Sequence, residues 1–205
     1  MAETPIRVLV VEDSELDAEL VMDQLVRDGL VVDWRRVDAE RDFIAALDEA
    51  VPDIIISDLS MPEMSGLTLA GEVHSKYPRV HVVILTTFAR AGYLRRAMDA
   101  GAQGYMLKDR PAAELAECVR RVCRGLRVVD PELAAEAWAQ EPDPLSERER
   151  QILWRAGEGK SGAEIAVDLH LSEGTVRNYL SEAINKLGAA NRIEAARLAR
   201  SKGWL

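Results

Sequence analysis

Between residues 6 and 125, short β-branched apolar runs alternate with longer segments whose apolar positions recur every three or four residues. Five runs read as strands, at 6–11, 31–37, 53–57, 80–86 and 104–107, and helical spacing follows near 15–28, 40–49, 66–77, 91–100 and 111–124. Several strand cores (VLVV, DIII, HVVIL) are continuously apolar rather than alternating. That pattern suits strands covered by helices on both faces, so the expected fold of this part is α/β, a (βα)5 unit on a parallel sheet.

The pattern changes after residue 125. DPELAAEAW reads as a short helix, and the QEPDP that follows cannot continue one, because proline lacks the amide donor and clashes with the preceding turn. Beyond it only helical spacing appears, near 146–157, 161–169, 173–187 and 191–202. Two of these helices open on capping boxes, Ser146 with Glu149 and Ser161 with Glu164, in which the serine oxygen takes an orphan backbone N–H and the glutamate reaches back. The expected organisation is an α/β domain over 1–125, a linker with a short helix over 126–143 and an all-α domain over 144–205.

Composition adds few surprises. The 205 residues are 48% hydrophobic and 30% charged, enough apolar material for packed cores and too little bias for disorder. Met1 to Pro5 lacks the basic and apolar regions of a signal peptide, and no run approaches the roughly 18 apolar residues of a membrane span, so a cytoplasmic protein without a membrane partner is expected. Cys118 and Cys123 lie five apart in a helical segment, where they point to different faces, and both read as packing residues. Charge is more informative when divided. The net −9 argues against a nucleic-acid partner, yet residues 1–140 hold 25 acidic against 16 basic side chains, whereas 141–205 hold ten of each. From Glu173 to Lys202 six basic residues face three acidic ones, a local excess that favours phosphates.

In an open parallel sheet, ligands bind beyond the carboxyl ends of the strands. There the sequence places Glu12 and Asp13 after the first strand, Asp58 after the third, Thr86 at the end of the fourth and Lys108 after the fifth. Converging carboxylates repel one another unless a cation sits among them, and hard oxygen ligands suit Mg²⁺. Asp58 is placed centrally as a nucleophile, while a Thr86 hydroxyl and a Lys108 ammonium can neutralise transferred phosphoryl oxygens.

At these residues the sequence resembles the receiver domain of two-component response regulators. The resemblance lies in Glu12-Asp13 after VLVV, in DIIISDLSMPEMSG around Asp58, in LTTF with Thr86 and in GYMLKD with Lys108. It spans about residues 6–125 and implies a CheY-like, doubly wound (βα)5 receiver. It further implies that Glu12, Asp13, Asp58 and the backbone carbonyl of Ser60 hold Mg²⁺, that Asp58 accepts the phosphoryl group, and that Thr86 and Tyr105 rearrange to report it. Tyr105 also reads as an ordinary half-buried strand aromatic. Many receivers carry proline directly after this lysine, whereas Asp109 follows Lys108 here, a Lys-Asp pair common in the branch with C-terminal helix-turn-helix domains. Aspartate-nucleophile phosphohydrolases share much of this set but carry a second aspartate two residues after the nucleophile. Ser60 stands at that position and has no acid/base group for fast turnover, so the chain is not expected to be an enzyme.

Residues 161–187 pair a short helix with a longer one across His170-Leu171-Ser172. Ser172 suits the N-cap, and Leu171 and Val176 suit a hydrophobic staple. On the longer helix Val176, Leu180, Ala183, Ile184 and Leu187 share one face, and Gly174, Arg177, Asn178, Ser181 and Asn185 share the other. The second face has the small, polar, singly basic character of a helix that enters a major groove, while His170 reads as a turn residue. LSERERQIL, EIAVDLHLSEGTVRNYLSEAINKLG and NRIEAARLARSKGWL resemble the NarL/FixJ, or LuxR-type, DNA-binding domain over about 144–203. That resemblance implies a four-helix domain with Thr175, Arg177, Asn178 and Ser181 as DNA contacts, although some relatives carry lysine where Ser181 stands. Together the two resemblances imply a transcription regulator phosphorylated by a sensor histidine kinase, dimerising on phosphorylation and binding double-stranded promoter DNA, with RNA polymerase a further candidate partner. The alternative is a regulator whose receiver answers to a ligand or partner instead of phosphate.

Overall fold

The computed structural model describes residues 4–59, 65–87, 90–139 and 141–205, with Trp138 by its backbone alone. The chain divides into two compact units, one built on a sheet and one on helices.

In the first unit the strands are β1 (Ile6–Val11), β2 (Val32–Val37), β3 (Ile54–Asp58), β4 (His81–Thr86), β5 (Gly104–Leu107) and β6 (Val128–Val129). All pair in parallel in the order β2-β1-β3-β4-β5-β6. Between them run α1 (Glu15–Arg27), α2 (Glu40–Glu49), α3 (Gly66–Lys76), α4 (Ala91–Asp99) and α5 (Ala112–Val122). The expected doubly wound α/β architecture is the one found. Val8, Val10, Ile54, Ile56, Val83, Leu85 and Met106 pack with α1 and α5 in one core cluster. The alternate residues Leu9, Ile55, Val82 and Ile84 are buried as well, which is why these strands are apolar without alternation. At the edge, β2 exposes Asp33, Trp34 and Arg35, and charged side chains there discourage pairing with another chain.

β6 is the element the hydrophobic pattern misses. Two residues have no period to read, and Val128 and Val129 are held by pairing with Gly104 and Tyr105. They lie inside the segment read from sequence as linker, just ahead of α6 (Pro131–Ala139).

The second unit contains α7 (Glu147–Gly157), α8 (Gly162–Asp168), α9 (Glu173–Leu187) and α10 (Arg192–Ser201). Both expected capping boxes form, at Ser146 with Glu149 and at Ser161 with Glu164. α9 ends on Gly188 at φ +61°, a left-handed cap that a glycine adopts without a Cβ clash. Two clusters fill the interior: Leu153, Ala183, Leu187, Ala195, Ala199 and Trp204 in one, and Ile152, Ile165 and Val176 in the other.

Candidate functional site

Register brings the strand-end residues together. Val11 pairs with Ser57, Asp58 with Leu85 and Thr86 with Leu107, so Glu12, Asp58, Thr86 and Lys108 emerge at neighbouring points along one edge of the sheet. The Lys108 ammonium donates to Glu12 Oε2 at 2.7 Å and to Asp58 Oδ2 at 3.0 Å, and lies 3.6 Å from Asp17 Oδ2. Its backbone N–H donates to the Thr86 carbonyl at 2.8 Å. Burial pushes the Glu12 carboxyl up, and the Lys108 ammonium only partly offsets this. Burial alone would push the Lys108 ammonium down, but its bonds to Glu12 and Asp58 outweigh it and hold the group above its usual range.

Other site residues fall less centrally. The Asp13 side chain is exposed, while the Glu12 and Asp13 carbonyls accept from Arg36 Nη1 at 2.8 and 3.4 Å, which fixes the turn after β1. Thr86 and Tyr105 are both fully buried at 0% exposure. The half-buried strand aromatic read from sequence is thus corrected: Tyr105 is fully buried on β5, an interior strand paired with β4 and β6. Ser60 lies outside the described residues.

Two contributors had not been singled out from sequence. Asp17, on the first turn of α1, reaches Lys108 because the Ser14 hydroxyl caps that turn, accepting the Asp17 N–H at 3.2 Å. Gly66 opens α3 against the end of β3, where a Cβ would stand 2.4 Å from the Asp58 carbonyl oxygen. A glycine in the first turn of a helix, where it costs stability, is the signal that marks such a close approach.

Glu12 and Asp58 already converge on one cationic group, the Lys108 ammonium, and their oxygens are of the kind Mg²⁺ prefers. The donor set therefore fits the ion in kind. Among the described residues no three Asp, Glu, His or Cys side chains are grouped closely enough to hold a metal by themselves.

In the helical unit the turn between α8 and α9 passes through His170 at φ +53°, which confirms it as a turn residue. Ser172 caps α9, its hydroxyl accepting the Thr175 N–H at 3.1 Å and meeting the Thr175 hydroxyl at 2.8 Å. Val176, Ala183 and Leu187 are buried and Leu180 and Ile184 half-buried, as their shared face requires. Arg177, Asn178 and Ser181 are exposed on the opposite face, and Thr175 is half-buried at its margin. The buried Glu149 of α7 accepts from the Lys186 ammonium at 2.8 Å and ties α9 to the bundle.

Residues 8–120 match the family of response regulator receiver domains, and residues 143–199 match the LuxR family of bacterial regulatory proteins. The response regulator RamR of Streptomyces coelicolor is 40% identical over 97% of this chain and 98% of its own. The chain belongs to the response regulators that carry a LuxR-type DNA-binding domain. This response regulator is also 49% identical to the uncharacterized transcriptional regulatory protein YvfU of Bacillus subtilis, over 75% of this chain and 76% of the relative. A structure of two RcsB dimers bound to two parallel DNAs shares the response regulator's fold, with a TM-score of 0.65 at 22% identity over 97% of this chain and 99% of the other. Receiver domains of this family generally bind Mg²⁺ for phosphorylation. Among the described residues of the response regulator no helix is long and apolar enough to cross a membrane.

Proposed function

We propose that Asp58 accepts a phosphoryl group from a sensor histidine kinase or a small phosphodonor, and that this controls dimerisation and promoter binding. The observation that carries the reading is the convergence of Glu12, Asp58 and Lys108 at the ends of three adjacent or near-adjacent strands. An Asp58 carboxylate oxygen forms the new P–O bond as the donor's P–N or P–O bond breaks. The Lys108 ammonium and the Thr86 hydroxyl then take the phosphoryl oxygens, while Gly66 keeps the backbone behind Asp58 packed. Glu12, Asp13, Asp58 and the Ser60 carbonyl are the residues that would hold Mg²⁺. When bound, the ion supplies charge neutralisation for the incoming phosphoryl group. The phosphoryl adds a charge of about −1.5 to −2, to which the buried Thr86 and Tyr105 respond by rearranging together, reshaping the face around α4 and α5.

The receiver extends over residues 1–125 and its sheet takes a sixth strand, β6, from the 126–143 linker, with the DNA-binding domain over 144–205. Thr175, Arg177, Asn178 and Ser181 read the major groove, and a homodimer engages paired half-sites of double-stranded DNA in the cytoplasm, where RNA polymerase is available to it. Ser60, placed where phosphohydrolases carry an acid, leaves Asp58 holding its phosphoryl group as a signal rather than turning it over. Dimerisation and promoter binding of wild type and Asp58→Ala, with Mg²⁺ and a phosphodonor, test this. The donor should raise both in wild type and neither in the variant, and an equal response in the two proteins overturns the reading.

A further inference from the structure

Among the described residues of the sheet unit, Glu12 and Asp130 are the buried carboxylates, and only Glu12 belongs to the phosphoryl site. Asp130 follows β6, beyond the 8–120 segment that matches the receiver family. Its side chain is 1% exposed and meets both the first turn of α6 and Arg110. One oxygen accepts the N–H groups of Glu132 and Leu133 at 2.9 and 3.2 Å, capping the first turn of α6. The other faces Arg110 Nε at 2.5 Å, and Arg110 Nη2 also reaches Glu132 at 2.8 Å. The Asp130 N–H donates to the Tyr105 carbonyl at 3.2 Å.

Burial pushes the Asp130 carboxyl up, yet the Arg110 guanidinium and the two α6 amides outweigh it and hold the group below the usual carboxylate range. It stays charged and paired. Arg110 stands two residues after Lys108, in the turn between β5 and α5, and its N–H donates to the Leu107 carbonyl at 3.3 Å. Asp130 thus grips the Lys108 turn through its side chain and Tyr105 through its backbone, and starts α6 with its second oxygen. Arg110 is ion-paired with the buried Asp130 and hydrogen-bonded to Glu132, so a shift of the Lys108 turn must move Asp130 or break the pair.

We propose that Arg110 and Asp130 form a strut that positions Lys108 for phosphoryl transfer and carries its movement to the first turn of α6. This rests on Asp58 being the phosphoacceptor.

The test uses the full chain with phosphoramidate and Mg²⁺, reading the maximum phosphorylation rate and the half-saturating donor concentration separately. Amide hydrogen exchange over 131–135 is followed with and without beryllofluoride as phosphoryl mimic, and ¹⁹F NMR reports its binding. In wild type, beryllofluoride should alter exchange in this turn, and in Asp58→Ala it should not. Arg110→Gln should lower the maximum rate roughly tenfold at an unchanged half-saturating concentration and abolish the exchange response, with Arg110→Lys recovering part of the rate. Asp130→Asn keeps a competent helix cap and hence the fold, and should show the same two losses. Asp130→Asn with wild-type rate and wild-type exchange response overturns the strut, as does a wild type that takes up phosphoryl while 131–135 stays unchanged. A wild type that takes up none overturns the phosphoacceptor reading itself.

Discussion

The Lys108 ammonium lies 3.0 Å from the Asp58 carboxylate, although fifty residues of chain separate the two. Asp58 thus has a tethered counter-cation, shared with Glu12 at 2.7 Å. A divalent ion must compete with that ammonium for the same oxygens. Lys108→Met should therefore tighten Mg²⁺ binding by roughly tenfold, about 1.4 kcal/mol, while weakening the response to a phosphodonor. Isothermal titration with Mg²⁺ checks the first effect, and unchanged affinity would show that the lysine leaves the carboxylates without cost.

Gly66 offers a second test of the same site. Its missing Cβ would stand 2.4 Å from the Asp58 carbonyl oxygen and 3.2 Å from Leu59 Cα, both backbone atoms that cannot swing aside. Gly66→Ala should cost about 1–3 kcal/mol, as overpacking does, and slow phosphorylation of Asp58 by displacing the end of β3. Thermal melting and phosphoramidate kinetics measure the two effects. A variant as stable and as fast as wild type would mean that α3 can retreat freely.

Much of this was legible because the sheet is parallel and buried on both faces, so β1, β3 and β4 announce themselves as unbroken apolar runs and their ends locate Glu12, Asp58 and Thr86. The face of α9 that carries Arg177 and Asn178 was equally plain, since helical period separates it from Val176 and Ala183. Contacts across elements were not legible. Nothing in the spacing joins Asp17 to Lys108 or Asp130 to Arg110, and β6 is too short for periodicity. Tyr105, on the strand that β6 flanks, is fully buried.

Glu149 predicts a pH-dependent stability. Burial pushes its carboxyl up, but bonds from Lys186 and from the Ser146 N–H prevail and hold it below the ordinary value of 4.5. A carboxylate depressed on folding contributes stability that is present above its unfolded pKa and lost as pH falls through its folded one. Lys186→Met removes the partner and leaves a buried charge with only the capping bonds. Because the lysine side chain is itself 41% exposed, the loss should be modest, about 1–2 kcal/mol at pH 7. The gap in melting temperature between wild type and variant should close as pH falls through the depressed folded-state pKa of Glu149, below which the carboxyl is neutral in both. Calorimetry across pH 3 to 8 decides it, and a gap independent of pH would assign the loss to packing of the lysine stem.

The exposed face of α9 gives a test that separates base reading from phosphate binding. Arg177 lies exposed on α9 and can pair bidentately with a guanine edge, whereas Arg192 at the start of α10 donates to the Lys160 carbonyl at 3.3 Å. Arg177→Ala should therefore weaken binding to the cognate site by about 1–3 kcal/mol while leaving binding to random duplex nearly intact. Ser181→Ala, which removes a single hydroxyl, should cost less than Arg177→Ala. Fluorescence anisotropy on both duplexes at several salt concentrations gives the comparison. If Arg177→Ala weakens both duplexes equally and flattens the salt slope by about one, Arg177 grips phosphate, and sequence is read by Asn178 and its neighbours instead.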